Sequence, residues 1–359
     1  MDVKTLLAQM MEQQVSDIFV IAGLPLTYAA GGQHVRLDTP AFTPDDTAHF
    51  VEDLYAIARR DSTPFIQSGN HDDDFSFSIA GMGRFRANIF RQRGSYSAVI
   101  RLIPFQLPDP EALHIPPQVM KLAELNKGLV LVTGPSGAGK TTTLACLIDR
   151  INHTRSGHII TMEDPIEYIH RHGTCIVTQR EIPTDVATYP EALNSAMRED
   201  PDILLLGEMR SAETVSTAVS AAEMAQLIFS TLHTMGAAST IDRIIDTYPA
   251  TQQHQARLQL SMTLQAIVSQ QLIPTADNKG MIPAFEIMVC NSAIRTLIRD
   301  AKTHQIDSAI ASGKAEGMQT MDQSLFNLCT AGLITQSAAL QYSSHQSALE
   351  HRFAAGQDE

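Results

Sequence analysis

"VLVTGPSGAGKTTTLACLIDRI", residues 130–151, decides the architecture of the chain. Within it, GPSGAGKT at 134–141 satisfies the pattern G-x-x-x-x-G-K-S/T in full. An apolar run at 129–133 reads as a strand leading into the turn, and Leu144, Leu147, Ile148 and Ile151 recur at helical spacing after it. Strand, glycine-rich turn and helix in that register form a phosphate-binding loop. Glycines let backbone N–H groups wrap phosphate oxygens, and the helix N-terminus adds a favourable dipole. The expected cradle is Gly134, Pro135, Ser136, Gly137, Ala138, Gly139, Lys140, Thr141 and Thr142. Lys140 is placed to reach the β- and γ-phosphates, and the Thr141 hydroxyl is placed for Mg²⁺.

Downstream the chain alternates short apolar strands with helices: "GLVLVTG", a helix from Lys140, "HIITMED", a helix at 189–199, "DILLLGE", a helix at 212–225, then "LIFSTLH". Continuous apolar strands between helices predict a mostly parallel sheet covered on both faces. Such a sheet presents the carboxyl ends of its strands on one edge, so residues ending different strands should converge on the loop. "DILLLGEMR" ends at Glu208 and "HIITMEDP" at Glu163 and Asp164. Glu208 is the candidate for polarising the attacking water, and Glu163 for holding water or metal. Either could instead cap a helix. "LIFSTLHT" brings His233 to the same edge, as a γ-phosphate sensor or as an ordinary structural histidine.

Upstream, residues 3–13 read as an amphipathic helix, 17–23 as a strand ended by Gly23, and 45–60 as a second helix. "FSFSIAGMGRFRANIFRQRGSYSAVIRLIP" then carries three strand-like runs parted at Gly81–Gly83 and Gly94–Ser95, which makes a small α+β module. In "GRFRANIF" a period of two puts Arg84 and Arg86 on one face and Phe85, Ala87 and Ile89 on the other. Arg84, Arg86 and Arg101 are candidate phosphate contacts in their own or a neighbouring subunit; the alternative is a solvated face or surface ion pairs. Asp72–Asp74 reads as a solvated turn, with Mg²⁺ binding there as the alternative. Pro104, Pro108, Pro110, Pro116 and Pro117 crowd a segment whose missing amide donors mark a linker.

At 359 residues the chain exceeds what one core serves, so two domains are expected. A net charge of −13 argues against coating nucleic acid or anionic lipid, and no nucleic-acid partner is expected. Cys146, Cys175, Cys290 and Cys329 lie far apart with no C-x-x-C pair, which predicts buried free thiols. No apolar run reaches membrane-spanning length, so the expected location is cytoplasmic, with membrane association only through a partner.

The segments "GPSGAGKT", "ITMEDPIEY", "REDPDILLLGEMR" and "STLHT", in this order, resemble the Walker A, Asp box, Walker B and His box of the type II/type IV pilus secretion ATPases. "SDIFVIAG", "GRFRANIF", "IVTQRE", "IDRIID" and "GMQTMDQSLFNL" resemble the pilus retraction ATPases of the PilT/PilU family over nearly the whole chain. The resemblance implies an α/β fold with a PAS-like α+β domain at 1–103, a hinge at 104–117, a RecA-like ATPase core at 118–289 and a helical region at 290–359. It implies an ATP- and Mg²⁺-dependent homohexamer that drives pilus retraction and twitching motility at the inner-membrane pilus base. The implied partners are a membrane platform protein and a paralogous retraction ATPase. "AIRTLIRD" resembles the family's retraction helix, which assigns Ala293, Ile294, Arg295, Leu297 and Ile298 to that role; periodicity alone describes a packed helix. Two departures stand out. Thr296 replaces the favoured Asn, and Met224-Ala225-Gln226 replaces T-G-H, removing one of the two His-box histidines. A non-motor accessory ATPase and another P-loop motor, such as a nucleic-acid translocase, are the alternatives.

Overall fold

The computed structural model describes residues 2–13, 15–30, 33–68, 72–103 and 107–355. They fall into two units, Met1–Gln106 with Glu167–Ile169, and Leu107–Ile166 with His170–Glu359. In the first, β1 (Asp17–Ile21), β2 (Thr27–Ala30), β3 (Gln33–Arg36), β4 (Asp73–Ile79), β5 (Gly83–Gln92) and β6 (Ser95–Ile103) form an antiparallel sheet in the order β3-β2-β1-β6-β5-β4. Period-two burial decides its faces. Ile18, Val20, Phe85, Ala87, Ile89 and Ile100 are buried in one cluster with Leu7, Phe50 and Leu54 of the helices Val3–Glu12 and Pro44–Ala58. The second helix starts where the sequence dictates: Thr43 and Asp46 make a reciprocal capping box and Pro44 takes the first turn.

Asp73 and Asp74 correct the expectation of a solvated turn, while Asp72 is exposed ahead of the strand. Asp73 and Asp74 begin β4; Asp73 accepts the Tyr55 hydroxyl at 2.7 Å, and Asp74 pairs with Arg86 across the register Ser76↔Arg86, Asp74↔Asn88. Opposite charges on neighbouring strands stabilise that arrangement over an open turn. Of the proline-rich segment, 104–106 lie outside the described residues; Pro116 then caps the short helix Pro117–Met120.

The second unit contains β7 (Gly128–Thr133), β8 (His158–Glu163), β9 (Ile176–Glu181), β10 (Ile203–Leu206), β11 (Leu227–Leu232), β12 (Leu264–Pro274) and β13 (Met281–Val289). Their order is β13-β12-β7-β11-β10-β8-β9, parallel from β12 to β9, with β13 antiparallel at one edge. Alternate residues of one strand enter two different cores. Leu129, Leu131, Leu204 and Leu206 pack in one cluster, and Val130, Val132, Ile203 and Leu205 in another. Burial on both faces is why these strands read as unbroken apolar runs. The hairpin β12–β13 outruns the sheet: Ser269 is the last residue of β12 paired with β7, and Gln270–Pro274 continue beyond the Thr133 end. Helices Met321–Thr330 and Gln346–Ala355 cover this extension through Leu325, Leu349 and Phe353. Three of the cysteines are buried as expected, while Cys329 is half-buried. Among the described residues no helix is long and apolar enough to cross a membrane.

Candidate active site

Beyond Thr133 the chain turns through Gly134, Gly137 and Gly139 at φ of 140°, 76° and 85°, and enters the helix Lys140–Thr154. Gly134 is required on two grounds. Its φ suits glycine alone, and an added Cβ would lie 2.1 Å from the backbone oxygen of Gln270. Lys140 is 8% exposed and donates from Nζ to the carbonyl oxygens of Gly134 and Pro135, both at 2.9 Å, which holds the ammonium over the loop. Pro135, Ser136 and Gly137 are exposed, Ala138 is buried, and Gly139, Thr141 and Thr142 are half-buried, so the loop's crest is open to an anion.

The acids meet at the same sheet edge. Glu208, two residues past β10, sits with Oε2 at 2.6 Å from Arg210 Nε and 3.5 Å from His233 Nε2. Two strand ends far apart in sequence thus converge on one carboxylate. Glu163 is buried; its Oε1 accepts the Thr161 hydroxyl at 2.6 Å and the Gln179 amide at 3.4 Å. Neither glutamate caps a helix. Ser211 caps Ala212–Glu223, accepting the Thr214 amide at 3.1 Å. Tyr189 reports how close the acids are: burial pushes its phenol up first, and the carboxylates of Glu208, Asp164 and Glu163 push it further. Its hydroxyl lies where a Cβ on Gly207 would come within 2.8 Å, so glycine there makes room for it. A groove of about 850 Å³ runs past Asp164, Arg180, Tyr189, Arg198, Glu208 and Arg210.

On the other side of β7 a smaller, mostly apolar pocket of about 220 Å³ lies against the loop. Leu113, Ile115, Thr142, Leu272, Met281 and Pro283 contribute to its wall. Strand order therefore sets the acids to one side of the loop and this pocket to the other.

The arginine candidates sit on the sheet face of the first unit opposite its helices. Arg86 holds Asp74 in a two-point pair at 2.9 and 2.5 Å, Arg101 holds Asp17 at 2.8 Å, and Arg84 donates to Ser78 at 3.3 Å. In the helix Ser292–Arg299, Ile294 and Ile298 are fully buried, Leu297 is half-buried on the same core, and Ala293 is exposed. Arg295 Nη1 donates to the carbonyl oxygens of Ser261 and Met262, and Nη2 donates to Gln265 Oε1 at 3.2 Å. It thereby satisfies the open end of the helix Gln253–Thr263.

Gln226, where the family has histidine, precedes β11, whereas His233 follows it. At the rise of a strand the two are about 20 Å apart. Within this subunit the substitution removes nothing from the loop edge. Sequence reasoning missed Tyr189, Gln270 and the pairing of Arg210 with Glu208. Only the last had a signal, an arginine two residues after the acid in "GEMR".

A parallel sheet with a phosphate loop after an inner strand and acids at the same edge of other strands defines a RecA-like P-loop nucleotide-binding domain. Residues 97–327 match the family described as "Type II/IV secretion system protein". The chain belongs to this family of PilT-type secretion ATPases. It is 42% identical over 340 residues to the Pseudomonas aeruginosa "Type IV pilus retractation ATPase PilT", covering 94% of this chain and 97% of that one. It is 38% identical over 342 residues to the "Type IV pilus ATPase PilU" of the same organism, covering 95% and 88%. The solved structure described as "Crystal Structure of the Pilus Retraction Motor PilT and Bound ADP" superposes with a TM-score of 0.88 at 42% identity, covering 98% of this chain and 99% of that one.

Proposed function

We propose that the protein is an ATP-hydrolysing motor that drives type IV pilus retraction. The observation that carries this reading is the convergence of Glu208 and His233 at the sheet edge that holds the Lys140 loop. ATP lies along that edge, its triphosphate in the loop and its terminal phosphate toward β10 and β8, with the nucleoside in the apolar pocket beside β12 and β13. Lys140 neutralises the β- and γ-phosphates. Glu208 accepts a proton from the attacking water, and His233 faces the departing phosphate as a donor. Arg210, already on Glu208, steadies its carboxylate. Glu163, ordered by Thr161 and Gln179, fixes the water network beside it. Thr141 fits a Mg²⁺ site because its half-buried hydroxyl follows Lys140 directly in the loop; the ion would neutralise the phosphate charge.

In this reading residues 1–103 form the moving module, 104–117 the hinge, 118–289 the ATPase core and 290–359 a helical extension. ATP draws the module toward the core and hydrolysis releases it, a closure ordinary for domains around a ligand. Arg86 and Arg101 exchange their carboxylate partners, and Arg84 its Ser78 hydroxyl, for phosphate in the closed state. Six copies form a ring in the cytoplasm at the pilus base, acting on an inner-membrane platform protein, and the helix Ser292–Arg299 transmits the stroke. A second reading, an accessory retraction ATPase, is favoured by the similarity to PilU and by Met224-Ala225-Gln226.

Surface pili counted by electron microscopy after in-frame deletion, beside wild-type and Lys140→Ala complementation, test this. Excess pili with lost retraction, rescued by wild type alone, are expected. Bald cells would make the protein an assembly motor, and unchanged piliation with intact retraction would favour the accessory role.

A further inference from the structure

Gln270 of β12 is the residue shared by the phosphate loop and the apolar pocket. Its backbone oxygen stands against Gly134, and its side-chain nitrogen lies where a Cβ on Gly139 would come within 2.9 Å. Its Oε1 accepts the buried Thr143 hydroxyl at 2.7 Å. With Oε1 on the Thr143 hydroxyl, in the first turn of the loop's helix, the two Nε2 hydrogens are presented elsewhere. Gln270 lines the pocket with Gly139 and Thr142, and among the described residues its Nε2 has no hydrogen-bond partner. A donor left open on a pocket wall is answered by water or by a ligand. The wall is mostly apolar, with Leu113, Ile115, Leu272, Met281 and Pro283, and His114, Thr142 and Thr143 are its other polar members.

We propose that Gln270 Nε2 is the hydrogen-bond donor that recognises the nucleoside of the bound nucleotide, which makes Gln270 a specificity-determining residue. The inference rests on the nucleotide lying along the sheet edge with its nucleoside beside β12. A donor in an apolar pocket discriminates because a ligand without the matching acceptor leaves it unsatisfied. The same side chain holds the loop in shape through Thr143, so the test separates the two roles.

Calorimetric titration with ADP and with inorganic pyrophosphate supplies ligands that share phosphates and differ in the nucleoside. Thr143→Val removes the pin and keeps the amide. Adding Gln270→Met in that background removes the amide at similar volume and leaves no orphaned partner. The double variant is expected to bind ADP about tenfold more weakly than Thr143→Val, the value of one lost hydrogen bond, with pyrophosphate affinity unchanged. Parallel loss of both ligands would reduce Gln270 to loop support and overturn the inference, as would unchanged ADP affinity. The wild-type protein gives an arm that does not depend on the variants folding: pyrophosphate bound as tightly as ADP would show no nucleoside contact and also overturn it. Wild-type protein binding neither ligand would remove the functional reading itself, and this inference with it.

Discussion

Replacing Gly134 with Ala puts a methyl group into backbone. The new Cβ would stand 2.1 Å from the Gln270 oxygen, so loop and β12 must part by about 1 Å to reach ordinary contact, and the residue must also hold a φ of 140°. Overpacking of this kind costs about 1–3 kcal/mol, and a non-glycine residue in such a backbone region another 1–3 kcal/mol. The expected loss is about 2–6 kcal/mol, a large share of the 5–15 kcal/mol typical of folded domains. Gly137→Ala is the internal control. It has a φ of 76° with nothing within 4 Å of the added Cβ, so only the left-handed backbone term of about 1–2 kcal/mol applies. Urea unfolding of both variants, followed by far-UV circular dichroism without nucleotide, reads the difference. Gly134→Ala should have the clearly lower midpoint. Equal midpoints would refute the steric account of the loop against β12.

Two further outcomes follow from single residues. Ala225 is held at a φ of 77° ahead of β11, so Ala225→Gly should raise stability by about 0.5–1 kcal/mol, seen as a higher melting temperature; a lower one would contradict the strain argument. Burial pushes the His170 imidazole from its ordinary 6.5 down to about 4. Between those values the unfolded chain binds a proton that the folded chain refuses, so stability is fully present above pH 6.5 and falls toward pH 4. Wild type should lose about 2 kcal/mol more than His170→Leu between pH 7 and pH 5 in urea unfolding, and identical pH profiles would show that His170 is not the group responsible.

The ATPase unit was legible because its signals are local. A glycine spacing between a strand and a helix specifies the loop, and apolar runs buried on both faces specify parallel strands, whose shared edge then places Glu208, Glu163 and His233 together without further information. What failed was what depends on partners. Asp73 and Asp74 looked like a turn because their partners lie elsewhere in the chain: Arg86 meets Asp74 across a hairpin, and Tyr55 and Arg60 meet Asp73 from the helix side. The four-residue strand Gln33–Arg36 is exposed throughout, so it carries no alternation to read. Gln270 gave no signal in "SQQLIP", since its meaning comes from Gly134, Gly139 and Thr143, more than a hundred residues earlier. The hold of Arg295 on the end of the helix Gln253–Thr263 had no local signal either, because the carbonyl oxygens that it meets lie more than thirty residues earlier.

The most direct test of the account is steady-state ATP turnover by Glu208→Gln, measured beside its ADP affinity. The substitution keeps the shape and the loop and removes the proton acceptor that sits 3.5 Å from His233. Turnover should fall by about a hundredfold or more while ADP binding stays at the wild-type level. Wild-type turnover in that variant would take the chemistry away from Glu208 and contradict the account.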